Sequence, residues 1–204
     1  MPEEIAYKSI IMRCDKVQEN AFREVPHGYV IEHYHSGMES VWAEIQQAAG
    51  EFQHETQEGT IEYFYRAFGR DENLVEQRMV FLKDVNTSEY VGVCAAWFSQ
   101  KNGQEIPIIH WLAVIPTYRG RGCARMLITA VMKIFSREYP GQMIYLHTQP
   151  SSYQAIKLYQ DFGFCMAKKD CYGTAENEYE EAMIILETVI KKDVFTQMQR
   201  QAVD

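Results

Sequence analysis

Hydrophobic positions along the chain change spacing several times, and each change predicts an element. SIIMRC (Ser9–Cys14) and YVIEHYH (Tyr29–His35) are short apolar runs of the strand type, separated by an irregular stretch holding Pro26 and Gly28. Met38, Val41, Trp42 and Ile45 then recur at helical spacing up to Gly50, and Ser36 followed three residues later by Glu39 predicts a capping box at that helix's start. A second helix is expected after Thr60, with Ile61, Phe64, Tyr65 and Phe68 on one face. MVFLKD and YVGVCAAWF flank VNTSE and predict an antiparallel hairpin; the polar turn QKNGQE leads into a further strand, IPIIHWLAV. Met126, Leu127, Ala130, Val131, Ile134 and Phe135 form a helical stripe that Pro140-Gly141 ends, and MIYLHT is another strand. A helix over Ser151–Asp161 should turn Ala155, Leu158, Tyr159 and Phe162 inward, with Gly163 closing it. FCMAKKD and EAMIILETVI predict a closing strand pair, and the polar tail after Lys191 a short helix or a frayed end. No repeat, low-complexity segment or linker interrupts this order, so residues 1–204 are expected to form one α/β domain.

The chemistry concentrates between IPIIHWLAV and the following helix, in YRGRGCAR (Tyr118–Arg125). A strand that enters a glycine turn and opens a helix suits an anion. First-turn N–H groups lack intrahelical acceptors, the helix dipole adds partial positive charge, and glycine lets phosphate oxygens approach the backbone. A Walker loop, G-x-x-x-x-G-K-S/T, is absent. A dinucleotide fingerprint fails too, because Gly120-x-Gly122 is followed by Arg125 and the next strand ends HTQ without an acidic residue for a ribose hydroxyl. Arg119-Gly120-Arg121-Gly122-Cys123-Ala124 instead satisfies R/Q-x-x-G-x-G/A.

With that spacing, LAVIPTYRGRGCARML resembles the coenzyme-A-binding motif of the GNAT superfamily of acyl-CoA-dependent N-acetyltransferases. SSYQAIKLYQDFGF is similar to the same superfamily's later helix, N-x-x-A-x-x-x-Y-x-x-x-G-F, in the expected order and at the expected distance. The resemblance is specific from about Met79 to Phe164. It implies an α/β (α+β) fold: a mixed, mostly antiparallel sheet flanked by helices, splayed between the strands at 106–114 and 143–148 to admit the cofactor. It implies acetyl-CoA as cosubstrate without a metal, and transfer of its acetyl group to an amine by direct attack in a ternary complex. The pyrophosphate would rest on the N–H groups of Arg121 to Ala124, within a cofactor site spanning Arg119, Gly120, Arg121, Gly122, Cys123, Ala124 and Arg125. Leu112, Ala113 and Val114 would offer backbone groups to the pantetheine amides, with an N–H near Val114 polarising the thioester carbonyl. Tyr159 would protonate the departing thiolate while bordering the cofactor. Ser152 stands where many members carry asparagine, with a shorter reach to the pantetheine arm.

An acceptor ammonium must lose a proton before it can attack. Many relatives place a glutamate on the strand before the glycine turn; here His110 is that strand's only titratable side chain, on the face of Ile108, Leu112 and Val114 by strict alternation. Glu51, Glu62, His35, His147 and bulk water compete with it. Trp42, Trp97, Trp111, Phe64 and Tyr65 supply an aromatic excess that packs the core or lines an acceptor pocket.

Charge and cysteine usage narrow the class. Twenty basic against twenty-eight acidic residues give a net charge of -8, which disfavours general nucleic-acid binding. Five cysteines without C-x-x-C spacing argue against a disulfide framework and a zinc site. No stretch has the length of a membrane span and MPEEIAYKSI lacks the form of a signal peptide, so a cytoplasmic protein without a membrane partner is expected. The acceptor is expected to be a small primary amine, with a protein or peptide N-terminus as alternative; a homodimer is compatible with the family. The rival class is a non-catalytic acetyl-CoA-binding regulatory module, which would share the cofactor motif but not turnover.

Overall fold

The computed structural model describes residues 5–69 and 71–204. In chain order the elements are β1 (Ile10–Cys14), β2 (Tyr29–His33), α1 (Glu39–Ala49), α2 (Gln57–Phe68), α3 (Glu72–Arg78), β3 (Met79–Asp84), β4 (Glu89–Lys101), β5 (Gln104–Val114), α4 (Cys123–Glu138), β6 (Ile144–Thr148), α5 (Tyr153–Asp161), β7 (Phe164–Met166), α6 (Tyr179–Val189) and α7 (Lys192–Gln201). The strands form one sheet in the order β2-β3-β4-β5-β6-β1-β7, and the pairings of β1 with β6 and β7, and of β3 with β2 and β4, are antiparallel. This is the mixed, mostly antiparallel α/β arrangement expected from the sequence. The chain packs as two compact units, and neither is continuous in sequence: residues 1–21, 98–108 and 141–204, and residues 22–97 and 109–140.

In the first unit β1 is the central strand, paired with β6 from Ile10↔Thr148 to Cys14↔Ile144 and with β7 at Met12↔Met166. Its Ile10, Ile11 and Met12 are fully buried. EAMIILETVI is a helix rather than a closing strand. Tyr179, Ala182, Met183 and Leu186 are its buried positions, a spacing of three and four, while Ile184 is 69% exposed. β-branched residues at its end imitate a strand, but the buried set has the period of a helix. The inward set of α5 also shifts, with Ile156 and Tyr159 buried and Ala155 and Leu158 half-buried.

A charged knot ties this unit together. Asp170 accepts from Lys101 Nζ at 2.6 Å and from Arg13 Nη1 at 3.0 Å. Burial by itself would raise this carboxyl; Lys101 and Arg13 outweigh it and hold it below the ordinary aspartate range. A depressed carboxyl contributes stability that is present above its unfolded pKa, about 3.9, and lost as pH falls through the folded value. Asp170→Asn is therefore expected to cost about 1–3 kcal/mol near pH 7, the usual worth of hydrogen bonds to charged partners. Urea titrations at a series of pH values should show the gap to wild type closing below about pH 4; a gap independent of pH would contradict this account.

In the second unit β3 pairs with β2 and β4, with an irregularity between Leu82 and Lys83 that twists the hairpin. The capping box at α1 is not formed. Met38 occupies the cap position without a side-chain bond, and the Glu39 carboxylate accepts from Gly37 N at 3.0 Å, Tyr34 Oη at 3.1 Å and Tyr65 Oη at 2.5 Å. Two phenols outbid the serine for the same carboxylate. α2 starts four residues earlier than the apolar pattern suggests, because Thr56 accepts from Gly59 N at 3.1 Å and sets the first turn. Tyr65 is exposed, so only Phe64 and Phe68 of the expected stripe reach the core. α3 has no counterpart among the sequence expectations.

All five cysteines are free, with Cys14, Cys94 and Cys123 buried. Among the described residues no cluster of three metal-ligating side chains occurs, and no helix is long and apolar enough to cross a membrane.

Candidate functional site

The glycine turn and its neighbours lie in the second unit. Chain direction reverses after Val114 through a short 3-10 turn, Pro116–Tyr118, whose geometry Arg119 secures. Arg119 N–H donates to Pro116 O at 3.1 Å, its Nε to Val114 O at 3.2 Å and its Nη2 to Ala49 O at 2.7 Å. The motif's first arginine thus braces the end of β5 against the end of α1, and its guanidinium is engaged by carbonyls.

Gly122 is the cap residue of α4, with φ of 84° and no side-chain capping bond. The N–H groups of the first turn therefore face outward without an acceptor from their own helix. Around them stand cations, whose charge has the same sign as the helix end. Arg121 lies over the Tyr118 ring, 4.6 Å from its centroid, and Tyr118 Oη in turn donates to Asp84 at 3.1 Å. Arg23 packs over Gly122 so closely that a Cβ there would sit 2.6 Å from Nη1. Its backbone is held on α4, where Arg23 N–H donates to Thr129 Oγ1 at 3.0 Å. Cys123, small and 2% exposed, closes the floor. Burial raises its thiol, against the pull of the Tyr29 hydroxyl and the Arg121 and Arg23 guanidiniums. Arginines gathered at the positive end of a helix, over a turn with no Cβ, are complementary to a phosphorylated ligand. Ala124 and Arg125 complete the turn, half-buried, and Gly120 is exposed.

The strand feeding this turn is not regular. Trp111 adopts φ of 49°, a left-handed conformation that costs a bulky residue on the order of 1–3 kcal/mol and persists where the surroundings over-determine it. Three observations identify what holds it. Gln46, fully buried on α1, donates its Nε2 to Trp111 O at 3.0 Å. The Trp111 ring lies 5.8 Å from Trp42, 5.1 Å from Phe52 and 5.3 Å from Tyr63. Its neighbour His110 contacts the same cluster, 5.7 Å from Phe68 and 5.6 Å from Trp111. Strict alternation therefore fails at this point. Consecutive side chains, His110 and Trp111, turn toward the helix layer, so His110 does not share a simple face with Ile108, Leu112 and Val114. Beyond the kink Leu112 is half-buried, and Ala113 and Val114 are buried.

Ser152 and Tyr159 belong to the first unit. Ser152 is half-buried in the 3-10 turn ahead of α5, and its N–H donates to Gln149 O at 3.0 Å. Tyr159 is 7% exposed, its ring 6.0 Å from Phe164. His147, in the same unit, has Nε2 3.0 Å from Ser9 Oγ and 3.3 Å from Tyr7 Oη, and partial desolvation lowers its pKa. Glu51, Glu62 and His35 are exposed on the second unit.

Sequence reasoning missed Arg23 and Gln46. Arg23 precedes the motif by about a hundred residues and no local pattern links the two. Gln46 did carry a signal, since a polar residue four positions after Trp42 falls on the apolar stripe of α1 and must find a partner.

A family model described as "Acetyltransferase (GNAT) family" matches residues 39–164. An N-alpha-acetyltransferase of Saccharolobus solfataricus is 37% identical over 70 residues, which cover 33% of this chain and 42% of that protein. This chain thus aligns with less than half the length of that relative. Among solved structures, a GCN5-related N-acetyltransferase of Sphaerobacter thermophilus superposes with a TM-score of 0.58 at 19% identity, covering 80% of this chain and 49% of that one. AAC(6')-Iy, solved in complex with the bisubstrate analogue CoA-S-monomethyl-acetylneamine, gives a TM-score of 0.51 at 16% identity, covering 66% of this chain and 89% of that one. These structural likenesses concern the fold.

Proposed function

Since the chain belongs to the GNAT acetyltransferase family, we propose that residues 1–204 are one transferase domain that transfers an acetyl group from acetyl-CoA to a primary amine. The observation that carries this reading is the α4 turn, where Gly122 caps a helix start whose first N–H groups have no intrahelical acceptor, and brings them together with the Arg121 and Arg23 cations without a Cβ between them. Such a turn fits the phosphates of coenzyme A. Leu112, Ala113 and Val114 receive the pantetheine arm, and Ser152 contributes a hydroxyl to it. Tyr159 gives its phenolic proton to the sulfur as the C–S bond breaks and the acyl carbon bonds to nitrogen. His110 takes the proton the amine sheds. A small-molecule acceptor is the first reading. Likeness to an N-alpha-acetyltransferase over 70 residues supports a peptide N-terminus as the second.

The test is coenzyme A release from acetyl-CoA across small amines, amino acids and short peptides, with wild type and Tyr159→Phe in parallel. Amine-dependent release that falls at least ~10-fold in the variant, with acetyl-CoA affinity retained, is expected for loss of a general acid. Release that is equal in both proteins removes Tyr159 from the mechanism. Peptides outperforming every small amine would move the acceptor to the second reading, and acetyl-CoA binding without turnover on any acceptor would replace the transferase by a binding module.

A further inference from the structure

We infer that Gln46 is a positioning residue for acyl transfer: through the Trp111 carbonyl it fixes the direction of the Leu112 N–H that faces the acyl carrier. The inference rests on the transferase reading for its consequence, and on three structural facts for its content. Gln46 lies on α1 with no exposed surface, and its carboxamide donates to Trp111 O at 3.0 Å. Among the described residues its own Oε1 accepts no hydrogen bond, so holding that carbonyl is the only polar contact of this buried side chain. Trp111 stands at φ of 49°, where an L-residue stays only under constraint.

Peptide geometry supplies the rest. The unit joining Trp111 to Leu112 is planar and trans, so its C=O and its N–H point in opposite directions. With the carbonyl drawn toward α1, the Leu112 N–H must point away from α1. The left-handed turn at Trp111 is what allows this orientation, because a regular strand would alternate Trp111 with His110 instead of sending both rings to the helix layer. A donor aimed before the reaction begins is worth most when the thioester carbonyl becomes an oxyanion, since no reorganisation is then required. Gln46 touches neither substrate nor cofactor in this scheme; it acts by holding one peptide plane.

Two variants and two readouts test it. Gln46→Met keeps length and bulk but cannot donate. With an acceptor that wild type uses, its kcat is expected to fall by about 10–100-fold, toward the loss seen when an oxyanion donor is removed, with KM for acetyl-CoA within about 3-fold. Gln46→Glu should show a kcat that rises relative to wild type as pH falls, because a protonated carboxyl can donate to Trp111 O and a carboxylate cannot. The second readout needs no turnover: the Leu112 amide proton resonance should shift on acetyl-CoA addition in wild type and stay nearly unmoved in Gln46→Met. The inference is overturned by a Gln46→Met kcat near wild type, by a loss explained wholly by weaker coenzyme A binding or unfolding, or by an equal Leu112 shift in both proteins. Wild type that binds acetyl-CoA without transferring it would defeat the transferase reading alone, and the Leu112 resonance would still decide the role of Gln46.

Discussion

Gly122→Val is expected to weaken coenzyme A binding at least ~30-fold, about 2 kcal/mol at 1.4 kcal/mol per decade, while leaving most of the fold standing. Residue 122 sits at φ of 84°, which costs an L-residue about 1–2 kcal/mol, and more when branched at Cβ. The new Cβ would also meet Arg23 at 2.6 Å from Nη1 and 3.1 Å from Cζ. Relief comes from displacing that guanidinium or from unwinding the first turn, and either removes part of the anion cradle. The remainder of α4 is secured by Met126, Leu127, Ile128, Val131 and Phe135, all buried, so the damage stays local. Calorimetric titration of coenzyme A against both proteins, beside a thermal melt, separates the two effects. An affinity within about 3-fold of wild type would remove the α4 turn from the cofactor site.

The largest effect on stability is expected at Gly163. Gly163→Ala should cost about 3–5 kcal/mol, at the upper end of single-substitution effects. The position has φ of 98°, and an added Cβ would approach the Lys16 carbonyl oxygen to 2.4 Å, with Gln18 Cγ at 3.2 Å and Cys14 Sγ at 3.4 Å. A flexible side chain can swing aside; a carbonyl in the chain just after β1 cannot. The same corner is pinned by Gln18 N–H donating to Phe162 O at 3.0 Å, so the two strands of chain cannot separate without losing that bond. Urea unfolding followed by circular dichroism measures the cost, and a change below about 1 kcal/mol would show that the corner relaxes freely.

Much of this was legible in the sequence because it was local. The strand, the glycine turn and the apolar stripe of α4 occupy consecutive residues, and the family resemblance rested on the same stretch. What failed depended on partners far along the chain. Ser36 and Glu39 had the spacing of a capping box, yet Tyr34 and Tyr65 claimed the carboxylate, and Tyr65 is 26 residues away. His110 was placed by alternation, and one left-handed residue after it cancelled the rule. In EAMIILETVI composition spoke for a strand and burial for a helix, a conflict that only packing resolves. The bracing of β5 against α1 by the Arg119 guanidinium, through the Val114 and Ala49 carbonyls, is likewise a long-range contact that no motif names.

The ring cluster around Trp42 has a mechanical consequence. Trp42 is fully buried and touches Phe52, Phe64, Phe68 and Trp111 within 6.0 Å. Amides in the middle of α1, behind this cluster, are expected to belong to the slow-exchanging set of their unit. Under the transferase reading proposed above, an acceptor side chain that met Phe52, Tyr63 and Trp111 would be chosen by fit to a surface that already exists.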